Sequence, residues 1–197
     1  MVLDIWGVVK YLKLIAMKHK FCIIVFLFLL IGCKDFFIKD KEFSMKAIPY
    51  TREELKINGY YYKNTDKGYS RVLIFYSNGV QFGGNGMSIP TIEIENKLRD
   101  PDYTKYFRDN QSCWGPFEIN NNVLRFEFYD IFGHNWLTCI AHCEILNNTT
   151  FNIKKVTYSK TGKEVDVNKY STSYHSLGEW HFKQFSPKPD STNNFIP

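Results

Sequence analysis

Between Val123 and Asp130 the chain alternates. Leu124, Phe126 and Phe128 occupy one set of positions, and Arg125, Glu127 and Tyr129 occupy the other. Successive side chains of a strand point to opposite faces, so this period of two specifies a strand with one buried and one wetter face. The pattern recurs in Trp136 to Leu146, where Leu137, Cys139, Ala141, Cys143 and Ile145 share a face. Further strand-like segments are Ile57 to Lys63, Tyr69 to Tyr76, Val80 to Phe82, Trp114 to Ile119, Thr150 to Tyr158 and Glu179 to Phe185. Within the second of these, Val72-Leu73-Ile74-Phe75 is apolar on both faces, as expected of a strand covered on both sides.

Turn residues punctuate these segments: Asn64 to Gly68, Ser77-Asn78-Gly79, Gly83 to Gly86, Asn120-Asn121-Asn122, Asn147-Asn148-Thr149 and Thr161-Gly162. Asn78-Gly79 suits a type I′ hairpin, because both residues tolerate positive φ. Residues 91–110 read differently. Asp100-Pro101 is a helix N-cap followed by a first-turn proline, and Tyr103, Tyr106 and Phe107 then fall on one helical face. This is a helical insertion or lid between strands. The fold class is therefore mainly β: an antiparallel meander of about eight strands, which removes its exposed edges by closing into a barrel. The aromatic share of 17% suits pleated, half-buried surfaces.

Several of these landmarks resemble uncharacterised bacterial lipoproteins with a lipocalin-like barrel. They are Asn58-Gly59-Tyr60-Tyr61, Ser77-Asn78-Gly79, Trp114-Gly115, the run from Leu146 to Phe151 and the run from Lys188 to Asn193. The resemblance spans roughly residues 55–195 and implies a fold; it brings no catalytic residues with it.

The N-terminus reads as an address. Phe21 to Ile31 is an unbroken apolar run preceded by Lys18-His19-Lys20. Eleven helical residues span about 17 Å, too short for a bilayer core of about 30 Å, and this order of segments is that of a signal peptide. Leu30-Ile31-Gly32-Cys33 resembles the lipobox of bacterial lipoproteins, which implies cleavage before Cys33 and its acylation. Residues 1–32 are then the signal peptide, with Met17 a second possible start, 33–49 a lipidated tether and 50–197 the β domain. Two or more acyl chains give stable membrane anchoring. Lys34 stands where aspartate would signal inner-membrane retention, so the resemblance implies outer-membrane residence and leaves the facing side open.

Composition and residue types exclude several functions. Of the +5 net charge, residues 1–32 carry +3, leaving 21 basic against 19 acidic side chains elsewhere. Such a domain lacks the basic footprint for nucleic acid. Cys113, Cys139 and Cys143 permit at most one disulfide. Cys139 and Cys143 lie about 13 Å apart on a straight strand, beyond disulfide reach, while Cys113 could join either of them if their strands are neighbours. His134, His142, Cys139 and Cys143 do not converge as metal ligands, since His142 alternates with both cysteines. Asp130, His134, Glu144 and Ser112 are the residues with hydrolytic chemistry, but no nucleophile elbow or phosphate-binding loop accompanies them. No catalytic residue, metal or cofactor is assigned.

The aromatic excess has two uses, filling a core or lining a cavity. For the second, the candidate ligand-binding residues are Tyr60, Tyr62, Phe75, Phe126, Phe128 and Trp180. The expected function is a membrane-anchored envelope lipoprotein whose non-catalytic barrel binds an apolar or amphipathic small molecule. The alternative is a structural or protein-interaction accessory of an envelope complex. The expected partners are accordingly the membrane through Cys33, a small apolar ligand, and an envelope protein.

Overall fold

The structure, a computed structural model, describes residues 42–65, 67–83, 87–132, 135–166 and 177–196. The expected signal peptide, the alternative start at Met17, the expected lipidation site Cys33 and the candidate His134 lie outside these residues.

The strands are β1 (Gly59–Asn64), β2 (Tyr69–Phe75), β3 (Val80–Phe82), β4 (Ser88–Pro90), β5 (Trp114–Asn120), β6 (Val123–Phe132), β7 (Asn135–Asn147), β8 (Thr150–Tyr158) and β9 (Gly178–Gln184). All pairings are antiparallel. Starting from β1 the order runs through β9, β8, β7, β6, β5, β3 and β2, and β2 pairs back with β1. Eight strands thus close a barrel, and β4 is the extra strand on β2. β3 and β4 share one edge of β2. Ile74 faces Phe82 and Arg71 faces Ser88, so the returning chain carries three residues more than β2 between these pairs.

Side-chain alternation divides the apolar residues into two cores. Tyr61, Leu73, Phe75, Phe117, Leu124, Phe126, Phe128, Cys139, Ala141, Cys143, Phe151 and Trp180 pack inside the barrel. One extra residue on β8 keeps this alternation useful: Cys143 faces Ile153 while His142 faces Lys155, so Lys154 bulges out. Ile153 and Val156 therefore both point inward despite their odd spacing.

The second core lies outside the wall. Tyr60, Val72, Ile74, Phe82 and Trp114 face away from the interior and meet Ile94, Leu98, Tyr103 and Phe107. These last come from two helices, α1 (Ile94–Arg99) and α2 (Pro101–Arg108). The side chain of Asp100 caps α2 by accepting from the amides of Asp102 and Tyr103. The insertion is thus a cladding on the barrel wall rather than a lid over its mouth. Tyr106 does not join the helical face expected of it and is 70% exposed, because only the i and i+4 positions, Tyr103 and Phe107, reach the wall.

Residues 42–58 are a strap. Ser44 and Met45 donate backbone amides to the carboxylate of Glu127, which the Ser44 hydroxyl also reaches, and Phe43 packs on Tyr129. The Glu127–Tyr129 side of β6, read from the sequence as its wetter face, is consequently buried. The strap then passes Gly79, where a Cβ would meet the Ile48 backbone at 2.2 Å. It ends by inserting Tyr50, Leu55 and Ile57 against the interior core, which closes one end of the barrel. Lys188 of the C-terminal tail reinforces this end by donating to the carbonyls of Ile57 and Phe75 at 2.7 and 3.0 Å.

The hairpin geometry differs from expectation. At residues 77–79 only Gly79 has positive φ, so the turn is not type I′. Asn121 and Asn122 both have positive φ between paired Asn120 and Val123, and it is there that the chain meets the type I′ requirement.

Candidate functional site

The six residues nominated for ligand contact divide between the two cores. Phe75, Phe126, Phe128 and Trp180 point inward, each no more than 1% exposed. Phe75 is the hub, with ring centroids 4.9 Å from Phe117, 5.6 Å from Tyr61 and 6.0 Å from both Phe126 and Phe151. Trp180 stacks on Phe151 with an interplanar angle of 9°. Such edge-on and stacked arrangements are those of a filled aromatic core. A ligand placed among these rings has to displace one. Tyr60 and Tyr62 lie on the other side of the wall, where Tyr60 packs on Phe185 under the helical cladding.

Toward the end opposite the strap the interior becomes polar. Asp130 follows Phe126 and Phe128 by the same alternation on β6, and Leu137, its cross-strand partner, belongs to the inward set of β7. Lys63 and Arg71 are partners across β1 and β2, one step beyond the inward pair Tyr61 and Leu73. The three ionisable side chains thus lie on the interior face of the same barrel end. Lys63 donates to the carbonyl of Leu177 at the entry to β9.

Asp130 is the unusual member. It is 1% exposed, its Oδ1 accepts from the amide of Ile131 at 2.8 Å, and its Oδ2 has no hydrogen-bond partner among the described residues. Burial raises its carboxyl to about 7, opposed by the Ile131 hydrogen bond and by the positive charge of Arg71. Burying an unpartnered acceptor costs about 1–3 kcal/mol, so this oxygen is a standing demand for a donor. A second buried acceptor without a partner, Oε1 of Gln81, faces inward beside Phe75. The Gln81 amide is held by the Glu127 carbonyl, where Gly115 lets β5 approach; a Cβ there would sit 1.7 Å from that carbonyl.

A cleft of about 310 Å³ opens at this same end, with an apolar floor that includes Leu137 and Tyr158 and a rim carrying Lys160 and Lys163. A larger one, about 580 Å³, lies between the strap and the tail residues Phe195 and Ile196. Among the described residues, no buried polar atom without a partner lines that one.

The other chemical candidates are dispersed. Glu144 is on the outer wall, paired with Lys154 at 2.8 Å, and Ser112 is beneath the cladding, so neither meets Asp130. Cys113, Cys139 and Cys143 are buried free thiols, with burial pushing Cys113 up to about 11 and Cys143 well above its ordinary value. His142 contacts Thr157 on the outer face, across the wall from the inward Cys139 and Cys143. Among the described residues no group of three or more His, Cys, Asp or Glu is placed to hold a metal.

In the sequence Asp130 stands only among four residues with hydrolytic chemistry and is assigned no role, and Arg71 and Lys63 draw no notice. Their signal was available in the parity of β1 and β2, since both continue the inward series of Tyr61 and Leu73 past the point where it stops being apolar. No protein-family model, curated protein or solved structure gives a significant match to this chain.

Proposed function

We propose that this chain is a lipid-anchored envelope protein, held through Cys33, whose barrel is a non-catalytic module that binds an amphipathic small molecule at its polar end. The observation that carries the binding part is Asp130. A carboxyl with one unpartnered oxygen, facing inward at the end of the barrel that bears an apolar cleft, is what a ligand with a polar head and an apolar body would use. The anchoring part rests on the apolar run and the lipobox-like Leu30 to Cys33. The polar end, rather than the ring-filled middle, receives the ligand, because Asp130 demands a donor while Phe75 and its neighbours already satisfy one another.

Native mass spectrometry of the protein, released gently from its own envelope, tests both parts. A reproducible added mass lost on denaturation supports binding, and a mass shift of diacylglycerol and acyl size on a peptide beginning at Cys33 supports anchoring. A bare barrel favours the second reading, a structural or partner-binding lipoprotein. The filled aromatic interior favours that reading, since a barrel packed this way serves well as a rigid platform.

A further inference from the structure

The Cys33 anchor proposed above leaves open which end of the barrel meets the lipid, and the inference here rests on that anchor. The strap has a direction. Tyr50 donates its amide to the carbonyl of Ser77 beyond the end of β2, Met45 lies at Glu127, and Phe43 packs on Tyr129. Followed back toward Cys33, the chain thus climbs β6 away from the closed end. Tyr129 is about 20 Å of strand from Val123 and about 10 Å from Phe132. Cys33 precedes Phe43 by ten residues. A random-coil stretch of that length spans about 17 Å, enough for the near end and short of the far one.

The near end is polar inside, but its rim carries apolar side chains. Ile92 is 92% exposed and follows Thr91, whose amide donates to the carbonyl of Gly68 where β2 begins. Tyr69, the first residue of β2, is 45% exposed, and Leu177, at the entry to β9, is 40% exposed. Among the described residues, charge at this rim is mixed, with Lys67, Lys160 and Lys163 against Glu93, Glu164 and Glu179. Apolar burial, rather than ion pairing, is therefore what the rim offers. Exposed apolar side chains interspersed with lysines suit a surface seated at the boundary of head groups and acyl chains. Val123 and Leu146 are the comparable exposed pair at the strap end, and the reach of the tether separates the two. We propose that the end of the barrel bearing Tyr69, Ile92 and Leu177 docks on the surface of the bilayer that holds the Cys33 lipid.

The test uses the anchored protein, purified from its own envelope and reconstituted in vesicles of phosphatidylethanolamine and phosphatidylglycerol doped with nitroxide-bearing lipid. A fluorophore is attached through Lys67→Cys or Lys163→Cys at the docking end, and through Val123→Cys or Leu146→Cys at the strap end. Cys113, Cys139 and Cys143 are at most 2% exposed and do not compete for the label. The nitroxide lipid should quench the first pair and leave the second pair bright. Adding Ile92→Asp and Tyr69→Asp should abolish quenching at position 163 while the protein stays on the vesicles. Equal quenching at both ends, quenching confined to the strap end, or quenching that survives both substitutions would overturn the docking face and leave the anchor intact. Labels shielded in native envelope membranes yet unquenched in these vesicles would overturn it in favour of a protein partner. Protein that washes off the vesicles, with no diacylglycerol or acyl mass on its Cys33 peptide, would remove the anchor and this inference with it.

Discussion

Asp130 makes the stability of this molecule depend on pH in a direction opposite to that of a salt-bridged aspartate. Its carboxyl is raised to about 7 in the folded chain, so the native state favours the protonated form. The stabilisation from holding that proton is complete below the unfolded value near pH 4. It falls as pH climbs through 7, and it is gone above. The charged groups on the same interior face are Arg71 on β2, which opposes the shift, and Lys63 on β1. Three pH units correspond to on the order of 4 kcal/mol, taken as an upper figure. Urea titrations at pH 4 and pH 8 should show the parent losing stability over that range relative to Asp130→Asn, with the variant more stable at pH 8. Parallel behaviour of the two proteins would mean Asp130 ionises freely. Lys188 works in a simpler way. Its amine caps two carbonyls at the strap end, and burial lowers it to about 8. Lys188→Met should cost about 1–3 kcal/mol in a thermal or urea melt, because the carbonyls of Ile57 and Phe75 lose their donor.

At the scale of elements, alternation was the most legible feature. The inward faces of β6 and β7 are those read from Leu124 to Phe128 and from Leu137 to Ile145, and Val72 to Phe75 is covered on both sides as its apolar run requires. The Asp100-Pro101 helix start was equally plain. Asp100→Ala should therefore cost about 1 kcal/mol, seen as a lowered melting temperature, by stranding two amides of the first turn. The strap was not legible. Residues 42–49 were read as tether because Glu42, Lys46 and scattered apolar residues have no period. What fixes them is long-range, a carboxylate some eighty residues away on β6. Alternation alone assigns Glu127 and Tyr129 to solvent, and only the tertiary structure shows that another segment covers them. Glu127→Ala should free the strap, so trypsin would cut after Lys46 faster than in the parent while the barrel core stays folded. The ligand-contact set failed to stay together for a related reason: Tyr60 and Tyr62 are adjacent in pattern to Tyr61 but opposite in face.

At the scale of the molecule, one wall serves two cores. β1, β2 and β5 present Tyr61, Leu73, Phe75 and Phe117 inward, and together with β3 they present Tyr60, Val72, Phe82 and Trp114 outward. Phe75 touches rings from four other strands, so Phe75→Ala should cost about 3–5 kcal/mol in a denaturant titration. A cost below about 1 kcal/mol would mean the ring cluster is not the centre of the fold. The polar end was only partly legible, since Arg71 and Lys63 look like ordinary surface charges until closure turns their faces inward. That closure is made by β1 pairing with β9, the first strand with the last. Until residues 178–184 have been synthesised, β1 and β8 each lack a neighbour, and no shorter nascent chain can complete the cylinder. Closure of the cylinder therefore waits for β9, however early the hairpins between β5 and β8 form.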